Sequence, residues 1–139
     1  MRCKATLALA ALLAAANASA DTLPLRVGPH AFDAEVAATP AARARGLMGR
    51  THLAADAAML FVFETPGRQC FWMRDTPLPL SIAFIDASGR IVALADMAPR
   101  SETLHCSPGA VRYALEVRQG EFQRRGIRPG TVVDGLPRY

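Results

Sequence analysis

The sequence predicts a mainly β (α+β) domain: a compact antiparallel, barrel-like sheet of about eight short strands with one covering helix. Three observations point there. Short apolar or alternating segments recur along most of the chain, separated by turns rich in Gly, Pro, Asn-like and Asp residues. Only one stretch carries helix signals at both ends, residues 40–48. No internal repeat or low-complexity linker divides the 139 residues, a length that suits one domain.

The first twenty residues stand apart from that pattern. Arg2 and Lys4 precede an apolar run at 5–16, and Ala18-Ser19-Ala20 is a small-x-small site followed by Asp21. This is the order of a secretory signal peptide cleaved after Ala20, leaving a mature domain at 21–139. The run is short for a membrane anchor, which needs roughly 20 apolar residues. The expected location is therefore periplasmic or secreted, with no stable membrane insertion after cleavage.

Segments 23–28 and 31–37 read as strands around a Gly28-Pro29 turn, with Phe32, Ala34 and Val36 on one face. Thr39 is a natural cap and Pro40 a natural first residue for a helix over 40–48 that stops at Gly49. Gly46 inside it is a poor helix former, which suggests a close neighbour. Thr51 is placed to cap one more short turn, through Asp56. The unbroken apolar run 58–63 suggests a strand buried on both faces. Further strands are expected at 69–74, 81–86, 90–96, 111–117 and 131–134. Ala87-Ser88-Gly89 makes a hairpin, 98–109 a polar loop, and 120–125 a helical turn ending at Gly126.

Removing Arg2 and Lys4 leaves 14 basic residues against 12 acidic, all of the bases being arginine. That balance is too small and too scattered for a nucleic-acid partner. Cys3 leaves with the signal, so Cys70 and Cys106 remain, in a compartment that favours oxidation. A Cys70–Cys106 disulfide is the leading expectation. A thiolate metal site is the rival, although no C-x-x-C or H-x-x-x-H spacing supports it.

The densest stretch is QCFWMRDTPLPL at 69–80. On a strand there, Cys70, Trp72 and Arg74 share one side and Phe71, Met73 and Asp75 the other. Trp72 is either a core or rim residue or a flat platform for a sugar or aromatic ligand. Asp75-Thr76 is either turn chemistry or a carboxylate acting as acid, base or ligand anchor. Arg43, Arg45 and Arg50 line the GLM segment, and Glu116 is the obvious acidic partner for a structural Arg–Glu pair.

The motifs RARGLMGR (43–50), MLFVF (59–63), FWMRDTPLPLSIAFIDASGRIV (71–92), YALEV (113–117) and GIRPG (126–130), in that order and spacing, resemble the uncharacterised "domain of unknown function 192" family. This would be a secreted, proteobacterial-type member. The resemblance covers about residues 30–134. It implies a compact β-barrel-like fold with a helix and brings no established activity. It also implies that Asn is usual where this chain has Asp75, Asp where it has Ser81, and Gly-Asp where it has Gly130-Thr131.

Function is thus expected to be that of a binding or accessory module for a small cell-envelope-related ligand or glycan. Its candidate residues are Trp72, Arg74, Asp75, Thr76, Arg45, Arg50 and Glu116, and it needs no cofactor or metal. A carboxylate-dependent hydrolase or lyase acting on a glycan, using Asp75 with Glu116 or Asp86, is the first alternative. A copper- or zinc-handling protein using His105, Met97 and the cysteines is the second.

Overall fold

The computed structural model describes residues 21–139, so the expected signal segment lies outside the described residues. The elements in chain order are β1 (Leu23–Val27), β2 (His30–Ala37), α1 (Pro40–Arg45), β3 (Ala57–Gly67), β4 (Cys70–Phe71) and β5 (Leu80–Ile85). They continue with β6 (Ile91–Met97), β7 (His105–Cys106), β8 (Val111–Arg118), α2 (Glu121–Arg124) and β9 (Val133–Asp134). Seven strands form one curled half-barrel sheet in the order β6-β5-β8-β3-β2-β1-β9, and β4 pairs with β7 in a small second sheet. The mainly antiparallel, barrel-like expectation holds, with one exception. β2 and β3 run parallel, because α1 and the segment after it carry the chain back across the sheet.

The curl comes from the sheet's two edges. β9 pairs with β1, while Val132 bridges Arg90 just before β6 and the Ile91 amide donates to the Thr131 carbonyl. Side chains pointing inward from nearly every strand fill the curl, among them Val27, Phe32, Leu60, Ile85, Tyr113 and Leu115. Phe122 of α2 plugs this core and meets Phe32 edge-on at 6.4 Å between ring centroids.

A second core lies on the opposite face of β3, β5 and β8. There Phe61, Leu80, Ile82, Phe84 and Ala114 are roofed by Leu47, Leu53 and Met73 from the loops after α1 and β4. β3 therefore buries both faces, as its unbroken apolar run predicts: Ala58, Leu60 and Val62 go to one core, Met59 and Phe61 to the other. Among the described residues no helix is long and apolar enough to cross a membrane.

Four local expectations are corrected. The helix ends at Arg45 with Gly46 as its cap, not at Gly49. Gly46 takes φ +47°, and a β-carbon there would sit 3.3 Å from the Phe61 ring, so the chain leaves the helix where the second core presses against its backbone. Residues 51–56 form an irregular loop with a turn at 55–56 and no helical turn. The strand expected over 69–74 is laddered only at Cys70–Phe71, and its partner is His105–Cys106, inside the segment read as loop. Val36 is exposed, since β2 turns to bury Ala37 in the second core.

Candidate functional site

β8 is a central strand, and on its outer face Glu116 stands in register between Met59 of β3 and Ile82 of β5. A charged side chain type at the middle of a sheet face is costly unless something pairs with it. Glu116 is only 4% exposed, and no hydrogen bond or ion pair to its carboxyl is found among the described residues. It lines a cleft of about 250 Å³ whose other lining side chains include Arg43, Arg45, Leu47, Phe61, Phe63, Gln69, Phe71, Trp72 and Thr76.

Each wall is placed by a specific local cause. The left-handed Gly46 lets the chain fold down over Phe61, bringing Leu47 and Met48 to the cleft. The Gly49 amide then donates to the Asp75 carbonyl at 2.8 Å, tying this loop to the segment after β4. That segment is held from behind, the Met73 amide donating to Ser101 and the Arg100 amide to Thr76. β4 supplies the aromatic wall: Phe71 meets Phe61 at 5.0 Å and Phe63 at 6.2 Å, both edge-on. The Cys70–Cys106 disulfide spans directly opposed residues of β4 and β7 and pins this wall.

The cleft gathers four of the seven side chains expected from the sequence: Trp72, Thr76, Arg45 and Glu116. Trp72 is 42% exposed at the rim, with the Arg74 guanidinium stacked 5.4 Å from its ring. Arg74 itself is not a lining residue; its Nε lies 3.9 Å from both Asp75 and Glu102 carboxylates, loose pairs in solvent. Asp75 is also outside, with its side chain 75% exposed and its backbone left-handed at φ 55°. Asn and Asp tolerate that conformation better than other side chains, so the residue type here has a conformational cause. Asp86 sits in the β5–β6 turn, accepting from the Ser88 hydroxyl and from the Ser88 and Arg90 amides.

The expected Arg–Glu116 pair is not formed. Arg50 pairs with Glu35 at 3.0 Å, because the early helix end turns it away from the cleft. Arg43 donates to the carbonyls of Ala38 and Val62 and stacks on Phe63. The aromatic walls from Phe61, Phe63 and Phe71 were not foreseen as site residues. Their apolar pattern is that of a core, and the two-residue β4 with its β7 partner makes one wall of the cleft from Phe71.

Of the groups named for the metal alternative, the cysteines are bonded to each other and Met97 is fully buried, while His105 is half-buried on β7. Among the described residues no group of three or more His, Cys, Asp and Glu could hold a metal ion. A second cleft, about 350 Å³, lies between β5, β6 and α2. Two of its polar side chains satisfy each other: the Ser81 hydroxyl donates to Asp96 at 2.6 Å and accepts from the Gly120 amide at 3.0 Å.

Burial alone pushes the Glu116 carboxyl from 4.5 up to about 8. At neutral pH the native protein holds a proton there that the unfolded chain has lost. The stabilising effect of that proton is complete below the unfolded value and is lost as pH rises through the folded one. Glu116→Gln removes this dependence. Its melting temperature should therefore gain on the parent's as pH rises from about 5 to about 8, read by thermal denaturation of both proteins. A gap that does not change with pH would show that Glu116 is not a buried neutral acid.

The comparisons with known proteins agree with this architecture. A solved structure from Sinorhizobium meliloti 1021, described as a "putative transcription regulator", is similar with 33% identity and a TM-score of 0.81, over 84% of this chain and 95% of that one. A protein of unknown function from Novosphingobium aromaticivorans DSM 12444 is similar with 36% identity and a TM-score of 0.79, over 81% and 84%. No curated protein matches the chain. The sequence model of DUF192, described as "Uncharacterized ACR", matches residues 23–135, and the chain belongs to that family.

Proposed function

We propose that this protein is an exported binding or accessory module whose aromatic cleft takes a small cell-envelope-related ligand or glycan. One observation carries the proposal: the nearly buried Glu116 carboxyl, without a protein partner among the described residues, lines a cleft walled by Phe61, Phe63, Phe71 and Trp72 beside Arg43, Arg45, Gln69 and Thr76. Its oxygens stay open to the cleft, since no fully buried side-chain oxygen or nitrogen among the described residues lacks a partner, so a ligand there can supply the hydrogen bonds that the chain does not. Apolar concavity with a few converging polar groups is the usual form of a small-molecule site. At about 250 Å³ the cleft lies just below the usual range, which suits a small molecule or one end of a larger one. The signal-like residues 1–20 and the disulfide support export to an oxidising compartment, as a secreted, proteobacterial-type family member.

The hydrolase alternative needs a second carboxylate near Glu116, and neither Asp75 nor Asp86 lines the cleft. Binding without turnover is the better match. The test is a thermal-shift screen of the mature protein against glycans, peptides and cell-envelope fragments. A true ligand at about 100 times its Kd should stabilise the parent by roughly 2.7 kcal/mol, and the shift should shrink in Trp72→Ala. A broad panel that moves neither protein would sink the proposal.

A further inference from the structure

Resting on that reading of the cleft, we infer that its ligand is a small amphoteric molecule, with a protonated amine seated on Glu116 and an acidic group at the mouth beside Arg45. Three observations converge on this class. Glu116 is buried and lacks the counter-cation that such a carboxyl ordinarily has. The arginines that line the cleft or flank Glu116 on β8 are otherwise placed: Arg43 is held by two backbone carbonyls, Arg112 by the Phe63 carbonyl and Arg118 by Glu121, while Arg50 is held by Glu35 and Arg45 is exposed at the rim. In the free protein the carboxyl is neutral, and a cation able to draw it into its ionised form has to come from outside the chain.

The walls suit that charge. Phe61, Phe63 and Phe71 line the same cleft as Glu116, and aromatic faces attract cations. The mouth selects further. Among the described residues, Arg43 and Arg45 are the only other ionisable side chains lining the cleft, and both are positive. They disfavour a bare amine or a polycation. They favour a molecule whose other end is negative. The Arg45 guanidinium has no hydrogen bond or ion pair among the described residues and is available to meet it, whereas Arg43 is engaged with Ala38 and Val62.

A proton balance accompanies binding. The buried acid gives up its proton when the ammonium arrives, and the ion pair replaces it. Since the carboxyl is pushed up to about 8 without ligand and its proton is released to solvent on binding, affinity for the amine should rise about tenfold for each unit that pH climbs towards that point. An alkylamine stays protonated throughout, its own pKa being about 10. A neutral alcohol or amide would behave in the opposite sense, losing a donor as Glu116 ionises.

The experiment is an NMR titration of the mature, disulfide-bonded protein with γ-aminobutyrate, O-phosphoethanolamine, butylamine, butyrate and n-butanol. Trp72, the only tryptophan, gives a single indole N–H reporter at the rim. Expected are shifts of that signal with the two amphoteric compounds, weaker effects with butylamine and none with butyrate. Glu116→Gln should weaken the amphoteric compounds roughly 10–100-fold, as for a hydrogen bond to a charged group. Arg45→Gln should cost about two- to fivefold with γ-aminobutyrate and nothing with butylamine. Preference for the phosphate over the carboxylate compound would point to a lipid-headgroup source, and the reverse to a free amino acid. Equal binding of n-butanol, or Glu116→Gln binding as well as the parent, would overturn the inference and leave the cleft as a site for neutral ligands. Silence with all five compounds, alongside a positive envelope-fragment screen, would also overturn it.

Discussion

Glu121→Ala is expected to lower the unfolding free energy by about 3 kcal/mol, at the low end of the cost of breaking a buried ion pair. Glu121 is 2% exposed at the start of α2 and receives three guanidinium groups, from Arg118 at 2.8 Å, Arg125 at 3.2 Å and Arg124. Arg118 and Arg124 are largely solvated and can turn to water when the carboxylate goes. Arg125 cannot do so easily. Its side chain is 17% exposed, lies 4.3 Å over the Phe32 ring, and donates to the Ala31 and Ala55 carbonyls. The expected loss is therefore mostly that of one buried cation left without its anion.

The pH dependence has a definite sign. Burial opposes ionisation of Glu121, but the hydrogen bonds from Arg124, Arg118 and Arg125 outweigh it and hold the carboxyl below its ordinary value. Its stabilisation is present above the unfolded carboxyl range and is lost as pH falls through the folded pKa. Urea unfolding near neutral pH checks the magnitude, and repetition in acid should show the parent and Glu121→Ala converging. A loss under about 1 kcal/mol would place the cluster with ordinary surface pairs. The same two carboxyls thus act in opposite directions: Glu121 favours the native state as pH rises, and Glu116 disfavours it.

That contrast shows what the sequence could and could not convey. Strand existence was legible wherever an apolar run met a Gly or Pro turn, and β1, β2, β3, β5, β6 and β8 lie close to where the pattern put them. β7 was not legible. Its two residues sit in a polar segment, and they become a strand only because the disulfide sets them opposite β4. The helix end was misplaced because Gly49 looks like a stop as much as Gly46 does, and only the Phe61 ring decides between them. At the site, Trp72 and Glu116 were visible as residue types that are conspicuous in a strand. The absence of a partner for Glu116 was not visible, since a nearby arginine in sequence is no guide to an arginine in reach. Asp75 was conspicuous for a conformational reason, its left-handed backbone, and carried no chemistry into the cleft.

Loss of the Cys70–Cys106 disulfide should have an effect as large as loss of Glu121, with a different distribution. Removing a cross-link over a separation of 36 residues is expected to cost about 4 kcal/mol in the chain-entropy model. The sheet it joins has two residue pairs, far too few to persist unaided. Its other supports are the Ser107 amide on the Gln69 carbonyl, the Gln69 amide on the Ser107 hydroxyl, and the packing of Phe71 against Phe61, Phe63 and Phe84. The seven-stranded sheet does not pass through either cysteine. A Cys70→Ala, Cys106→Ala double variant should therefore keep its far-ultraviolet circular dichroism. It should lose hydrogen-exchange protection first at residues 69–76 and 101–107, and with it the rim that carries Trp72. Ligand affinity and global stability would fall together, because one cross-link holds both the loop closure and the aromatic wall. Uniform loss of protection across β3, β5 and β8 would show instead that the flap and the main sheet unfold as one unit, and the cleft would then have no wall that can move independently of the core beneath it.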